Sequence, residues 1–64
     1  MCEANVYIDR NGQEKLFMEQ ANIIIFHKDG TLFIENIFGE RKTIAARVKE
    51  MKLVEHKIIL EESW

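Results

Sequence analysis

Apolar and polar positions alternate with a period of two along most of the chain, which is the spacing of half-buried strands. Ala4, Val6 and Ile8 stand between Asn5, Tyr7 and Asp9, and Asn11-Gly12 follows, so the opening reads as strand, type I′ turn and strand. The returning arm covers 13–19, with Leu16 and Met18 on one face and Phe17 on the other. A β-branched and aromatic run over 22–28, then Asp29-Gly30, then a second run over 31–37 predict a hairpin whose two central turn residues both take positive φ. Phe38-Gly39-Glu40 interrupts the pattern, and Ile44, Ala46 and Val48 alternate again through 41–48.

Two periods compete over 43–53. Ile44, Val48 and Met51 also fall at helical spacing, and Ala45-Ala46-Arg47 favours a helix. Strand is the preferred reading, because 57–61, with Ile58 and Leu60 on one face, needs an antiparallel neighbour and Val54-Glu55-His56 can supply the turn. A short helical turn within 47–52 is the alternative. The predicted fold is all-β: one domain over 1–64, a small antiparallel β-barrel of five to six short strands with SH3-like or Sm-like geometry. Such a barrel is expected to leave edge strands and to place Phe17, Ile24 and Ile59 on its outer surface, and a homodimer would cover both.

Length and composition narrow the functions available. Sixty-four residues are too few for two domains or for an enclosed cleft with a catalytic constellation, so an enzyme is not expected. A domain this small usually draws stability from disulfides, a metal or a partner, and the lone Cys2 excludes an internal disulfide. The longest apolar run, Ile23-Ile24-Ile25-Phe26, is far shorter than the ~20 residues of a spanning helix. The opening residues show no basic stretch before an apolar core, so a cytoplasmic location is expected. Residues 40–57 carry six Lys or Arg against three Glu, whereas the whole chain is at −2. This asymmetry falls short of the basic excess of most nucleic-acid domains, and nucleic acid is not the expected partner.

Cys2 is the leading candidate for chemistry. If Met1 is removed, the free amine and thiolate of Cys2 can close a five-membered chelate, with the backbone amide nitrogen of Glu3 as a further donor. Planar nitrogen and sulfur donors suit Ni(II) or copper better than a tetrahedral zinc cage, and two copies of Cys2 in a dimer would complete four donors. The plain alternative is a small, inert apolar side chain, the commonest role of an isolated cysteine. His27 and His56 share no metal-binding spacing with Cys2 or with each other; His27 is expected in solvent, and His56 on a backbone carbonyl. Glu61-Glu62 and Ser63 lack catalytic partners, and no glycine-rich phosphate motif occurs. The strip Arg41–Lys52, with Tyr7, Phe17 or Trp64 for base stacking, is the alternative reading as an RNA-binding barrel. A pure dimerisation or regulatory module is a third.

Met1-Cys2-Glu3-Ala4-Asn5-Val6-Tyr7, Asn36-Ile37-Phe38-Gly39-Glu40 and Val54-Glu55-His56-Lys57-Ile58-Ile59-Leu60-Glu61 together resemble the CooT family of small nickel-binding proteins. The resemblance spans nearly the whole chain. It implies a homodimeric β-barrel, an accessory role in supplying nickel to carbon monoxide dehydrogenase, and Ni(II) bound by the cysteine after the initiator methionine, here Cys2. Members have also been described as predicted RNA-binding proteins, on the strength of the barrel fold. It further implies that the second and third blocks are structural. The chain has no histidine-rich tail, which limits the expectation to one site per chain or per dimer.

Overall fold

The computed structural model describes residues 3–62 and contains five strands among them: β1 (Ala4–Arg10), β2 (Gln13–Phe26), β3 (Thr31–Asn36), β4 (Arg41–Lys52) and β5 (Lys57–Glu62). Consecutive strands pair antiparallel, and β5 returns beside β1, so the sheet closes into a ring. The closing pair runs parallel, from Asn5↔Lys57 to Asp9↔Glu61, unlike the wholly antiparallel order expected. Closure also leaves no strand at an edge among the described residues.

The count is five because the runs expected over 13–19 and 22–28 join into one strand, which ends at Phe26 and leaves His27 and Lys28 to the turn. β2 kinks where Gln20 takes a φ of 51° and the register against β1 and β3 shifts, as at a β-bulge. Its first half pairs with β1 and its second with β3. β4 is divided the same way, with 41–45 against β3 and 46–52 against β5. Residues 43–53 therefore form strand and turn, and β4 extends to Lys52 without a helical turn. Side-chain packing decided between the competing periods: Ala46 is buried and Ile44 and Val48 pack on the core, whereas Met51 is exposed.

The turns follow their residues. Asn11 and Gly12 both have positive φ, 54° and 82°, as a type I′ turn requires. At the second hairpin only Gly30 does, at 89°. Here Asp29 accepts hydrogen bonds from the backbone N and Oγ1 of Thr31 at 3.0 and 2.7 Å, which favours a longer loop ending in a left-handed glycine over a two-residue turn.

Val6, Ile8, Met18, Leu32, Ile34, Ala46, Ile58 and Leu60 fill the ring. Four positions depart from the alternation. Ile59, expected outside, is only 1% exposed although its neighbours Ile58 and Leu60 point into the core. Phe17 and Ile24, also expected outside, are partly buried against the core cluster. Leu16 is 52% exposed, whereas Met18 is 3% exposed, because the register shift between Val6↔Met18 and Tyr7↔Leu16 sets Leu16 beside Tyr7, on the face away from buried Val6 and Ile8. The outer apolar surface consists instead of Ile23, Ile25, Phe26, Ile37, Phe38, Met51, Leu53 and Val54, with Leu16.

Asn36 is the buried polar side chain of this interior. Its Oδ1 accepts from the backbone N of Phe38 and Glu40 at 3.0 and 2.9 Å, and its Nδ2 donates to Glu40 Oε1 at 2.7 Å. It satisfies the turn from β3 to β4 from inside. Replacement of Ile34 by alanine is expected to cost ~2–5 kcal/mol of unfolding free energy. Asn36→Ala, which orphans two backbone donors, should cost about 1–3 kcal/mol, and urea denaturation followed by circular dichroism checks both values.

Candidate functional site

One end of the ring gathers the backbone around the point where the chain enters β1. The turn after β4 brings His56 there in a left-handed conformation, φ 53°, which histidine tolerates better than β-branched residues. The backbone carbonyl of His56 accepts from the N of Asn5 at 2.8 Å. Its imidazole Nδ1 lies 3.0 Å from the carbonyl oxygen of Glu3. That oxygen can only accept, so Nδ1 carries the proton and donates, and in the neutral ring Nε2 keeps its lone pair.

Asn5 continues the network: its Oδ1 accepts from the N of Gln20 at 3.0 Å, and the carbonyl of Gln20 accepts from the N of Ile37 at 3.1 Å. The kink in β2 is thereby tied to β1 on one side and to the β3–β4 turn on the other. Glu3, Asn5, Glu19, Gln20 and His56 line a polar recess of about 400 Å³. A second recess of about 280 Å³, more apolar and lined in part by Phe26, Leu32 and Val48, lies at the opposite end of the strands.

Of the two ligand positions read from the sequence, Glu3 stands at the mouth of β1, with its carbonyl held by His56. Cys2 lies outside the described residues. Among the described residues no three histidine, cysteine, aspartate or glutamate side chains converge to hold a metal. His56 meets the carbonyl expected of it, and His27 is exposed beside the β2–β3 turn. The parts of Asn5, Gln20 and Glu19 were not read from the sequence, although the polar break Gln20-Ala21-Asn22 between two apolar runs marks the bend that brings them together.

The strip Arg41–Lys52 is largely occupied by contacts within the chain. Arg41 pairs with Glu35 at 3.0 Å, Arg47 with Glu61 at 2.5 Å and Lys49 with Asp9 at 2.5 Å. Lys42 donates to the carbonyl of Phe17 at 2.8 Å and covers the Phe17 ring at 4.8 Å, and Lys57 covers Tyr7 at 5.0 Å. Two of the three aromatic faces considered for base stacking thus already hold a lysine, and the third, Trp64, lies outside the described residues.

These pairs also set the acid response. Hydrogen bonding to Lys49 lowers the pKa of Asp9 below its ordinary 3.8, and hydrogen bonding to Arg10 lowers that of Glu62 below 4.5. Carboxylates depressed on folding contribute stability that is fully present above their ordinary values and is lost as pH falls through the folded ones. The protein should therefore lose stability as pH drops through 4.5 and 3.8 and below, where Asp9 and Glu62 take up protons. An R10M/K49M variant, with neither cation, should start less stable at neutral pH and show a flatter decline across that acid range; unfolding midpoints in urea from pH 7 to 2 read the difference.

Comparison with known proteins points one way. The family model described as CO dehydrogenase accessory protein CooT matches residues 1–61. A crystal structure assigned as a CooT from Carboxydothermus hydrogenoformans is similar over 98% of this chain and 100% of its own, at 43% identity and a TM-score of 0.90. A search of curated proteins returns no match.

Proposed function

This chain belongs to the CooT family of CO dehydrogenase accessory proteins, and from that premise we propose that it binds Ni(II) through Cys2 and supplies it to a nickel enzyme such as carbon monoxide dehydrogenase. The observation that carries the reading is the family match, which begins at residue 1 and so includes the terminal cysteine. With Met1 removed, Cys2 offers an amine and a thiolate to one metal ion, and the amide nitrogen of Glu3 offers a third donor. Their unperturbed pKa values, about 8 for the amine and about 8.5 for the thiol, let a metal displace both protons near neutrality. Nitrogen and sulfur donors in a plane match the preference of Ni(II).

An accessory role fits a chain that offers a terminal donor set instead of a deep cleft. The site belongs at a dimer interface, where two copies of Cys2 share the metal. The outer face of β2 and β3 is suited to hold such a dimer. Ile25 stands opposite Phe33 in register, and Ile23 opposite Glu35, on the side turned away from buried Leu32 and Ile34. Arg41, Lys42, Arg47 and Lys49 of the strip Arg41–Lys52 are engaged within the chain, which weighs against the RNA-binding reading.

Calorimetric titration of Met1-processed protein with Ni(II) should give one tight site that Cys2→Ser abolishes, with affinity falling as pH drops because protons compete for the amine and thiolate. Equal affinities in the two proteins would end the proposal. Removing the metal should leave the melting temperature nearly unchanged, since the core residues lie within the ring and none of them is a proposed metal donor. In size-exclusion with light scattering the protein should run as a dimer at micromolar concentration and Ile25→Lys as a monomer; a wild-type monomer would refute the interface.

A further inference from the structure

The bond between His56 and the Glu3 carbonyl joins a left-handed turn residue to the last peptide before the proposed metal donors. Asn5 N donates to the His56 carbonyl at 2.8 Å while the His56 ring donates to the Glu3 carbonyl at 3.0 Å, so one residue grips β1 on both sides of Ala4. The parallel ladder between β1 and β5 begins at Asn5↔Lys57. The imidazole therefore extends that ladder by one side-chain bond toward the terminus. Beyond it, only the φ and ψ of Glu3 separate the gripped peptide from the Cys2–Glu3 peptide that carries the Glu3 amide nitrogen, because each peptide unit is itself rigid.

We propose that His56 is a positioning residue for the N-terminal nickel site: its Nδ1–H clamps the Glu3 carbonyl and so holds the donors of Cys2 and Glu3 ready for the metal. This rests on the reading of Cys2 as the nickel ligand. Without the clamp, the metal itself must order the chain from Glu3 onward, and fixing one residue's backbone is worth about tenfold in affinity. The clamp uses the Nδ1 position alone and does not require Nε2 to touch the metal.

Two substitutions separate the clamp from the ligand. Both glycine and asparagine accept a left-handed φ, so both His56→Gly and His56→Asn should keep the turn and the fold, which thermal melting checks. Asparagine places its Nδ2–H donors near where histidine carries Nδ1–H, but it has nothing in place of Nε2. Nickel chloride titrated calorimetrically into Met1-processed protein should bind about tenfold more weakly to His56→Gly and within about twofold of wild type to His56→Asn. The thiolate-to-nickel absorption bands of His56→Asn should match those of wild type.

Equal losses in both variants, with altered bands in His56→Asn, would make the imidazole a ligand and overturn the clamp. Wild-type affinity in His56→Gly, alongside abolished binding in Cys2→Ser, would overturn the clamp and leave the cysteine site standing. Undiminished binding in Cys2→Ser would overturn both.

Discussion

Pairing of β1 with β5 is the constraint from which the rest of the structure follows. Five short strands in an open sheet would expose two rows of unpaired backbone groups, and a chain of this size has little other material to cover them. The parallel seam from Asn5↔Lys57 to Asp9↔Glu61 satisfies both rows at once. It brings Ile58 and Leu60 against Val6 and Ile8, so the first and last strands complete one core. It also fixes the β4–β5 turn beside the start of β1, which is why His56 meets Glu3 across a separation of 53 residues.

The hairpins were largely legible in the sequence. Asn11-Gly12, Asp29-Gly30 and Phe38-Gly39 mark three of the four turns, and Val54-Glu55-His56 falls at the fourth. What alternation could not convey was continuity. Gln20-Ala21 looks like a gap between strands, yet it is a bulge at which β2 leaves one neighbour for another, a property of the ring that no local period encodes. Closure misled the burial reading in the same way. Ile59 alternates outward from the core cluster and is still covered, and the edge liability that argued for a partner is removed by the seam.

The residue on which the proposed site rests was legible in the sequence, and its surroundings were not. A cysteine behind the initiator methionine is visible in any reading of the chain, and so is the resemblance that gives it meaning. The contacts of Asn5 with Gln20 and of His56 with Glu3 depend on strands 15 and 53 residues apart meeting at one end, and single-sequence patterns carry no such pairing. The case for a second copy has likewise moved from open edges to an apolar outer face around Ile23 and Ile25.

Because the seam is parallel, β1 and β5 begin at the same end of the ring and finish at the other. Chain leaving Glu62 therefore departs about 20 Å from where chain enters at Ala4, by the rise of six or seven strand residues. The end where β1 begins is the one to which the proposed metal donors are joined, and the chain leaves β5 at the other. A tether, tag or fused domain joined after β5 hangs from the far side of the ring, whereas any residue added ahead of Cys2 acylates its amine. A seam built with antiparallel strands would have put both termini at one pole and crowded whatever docks there.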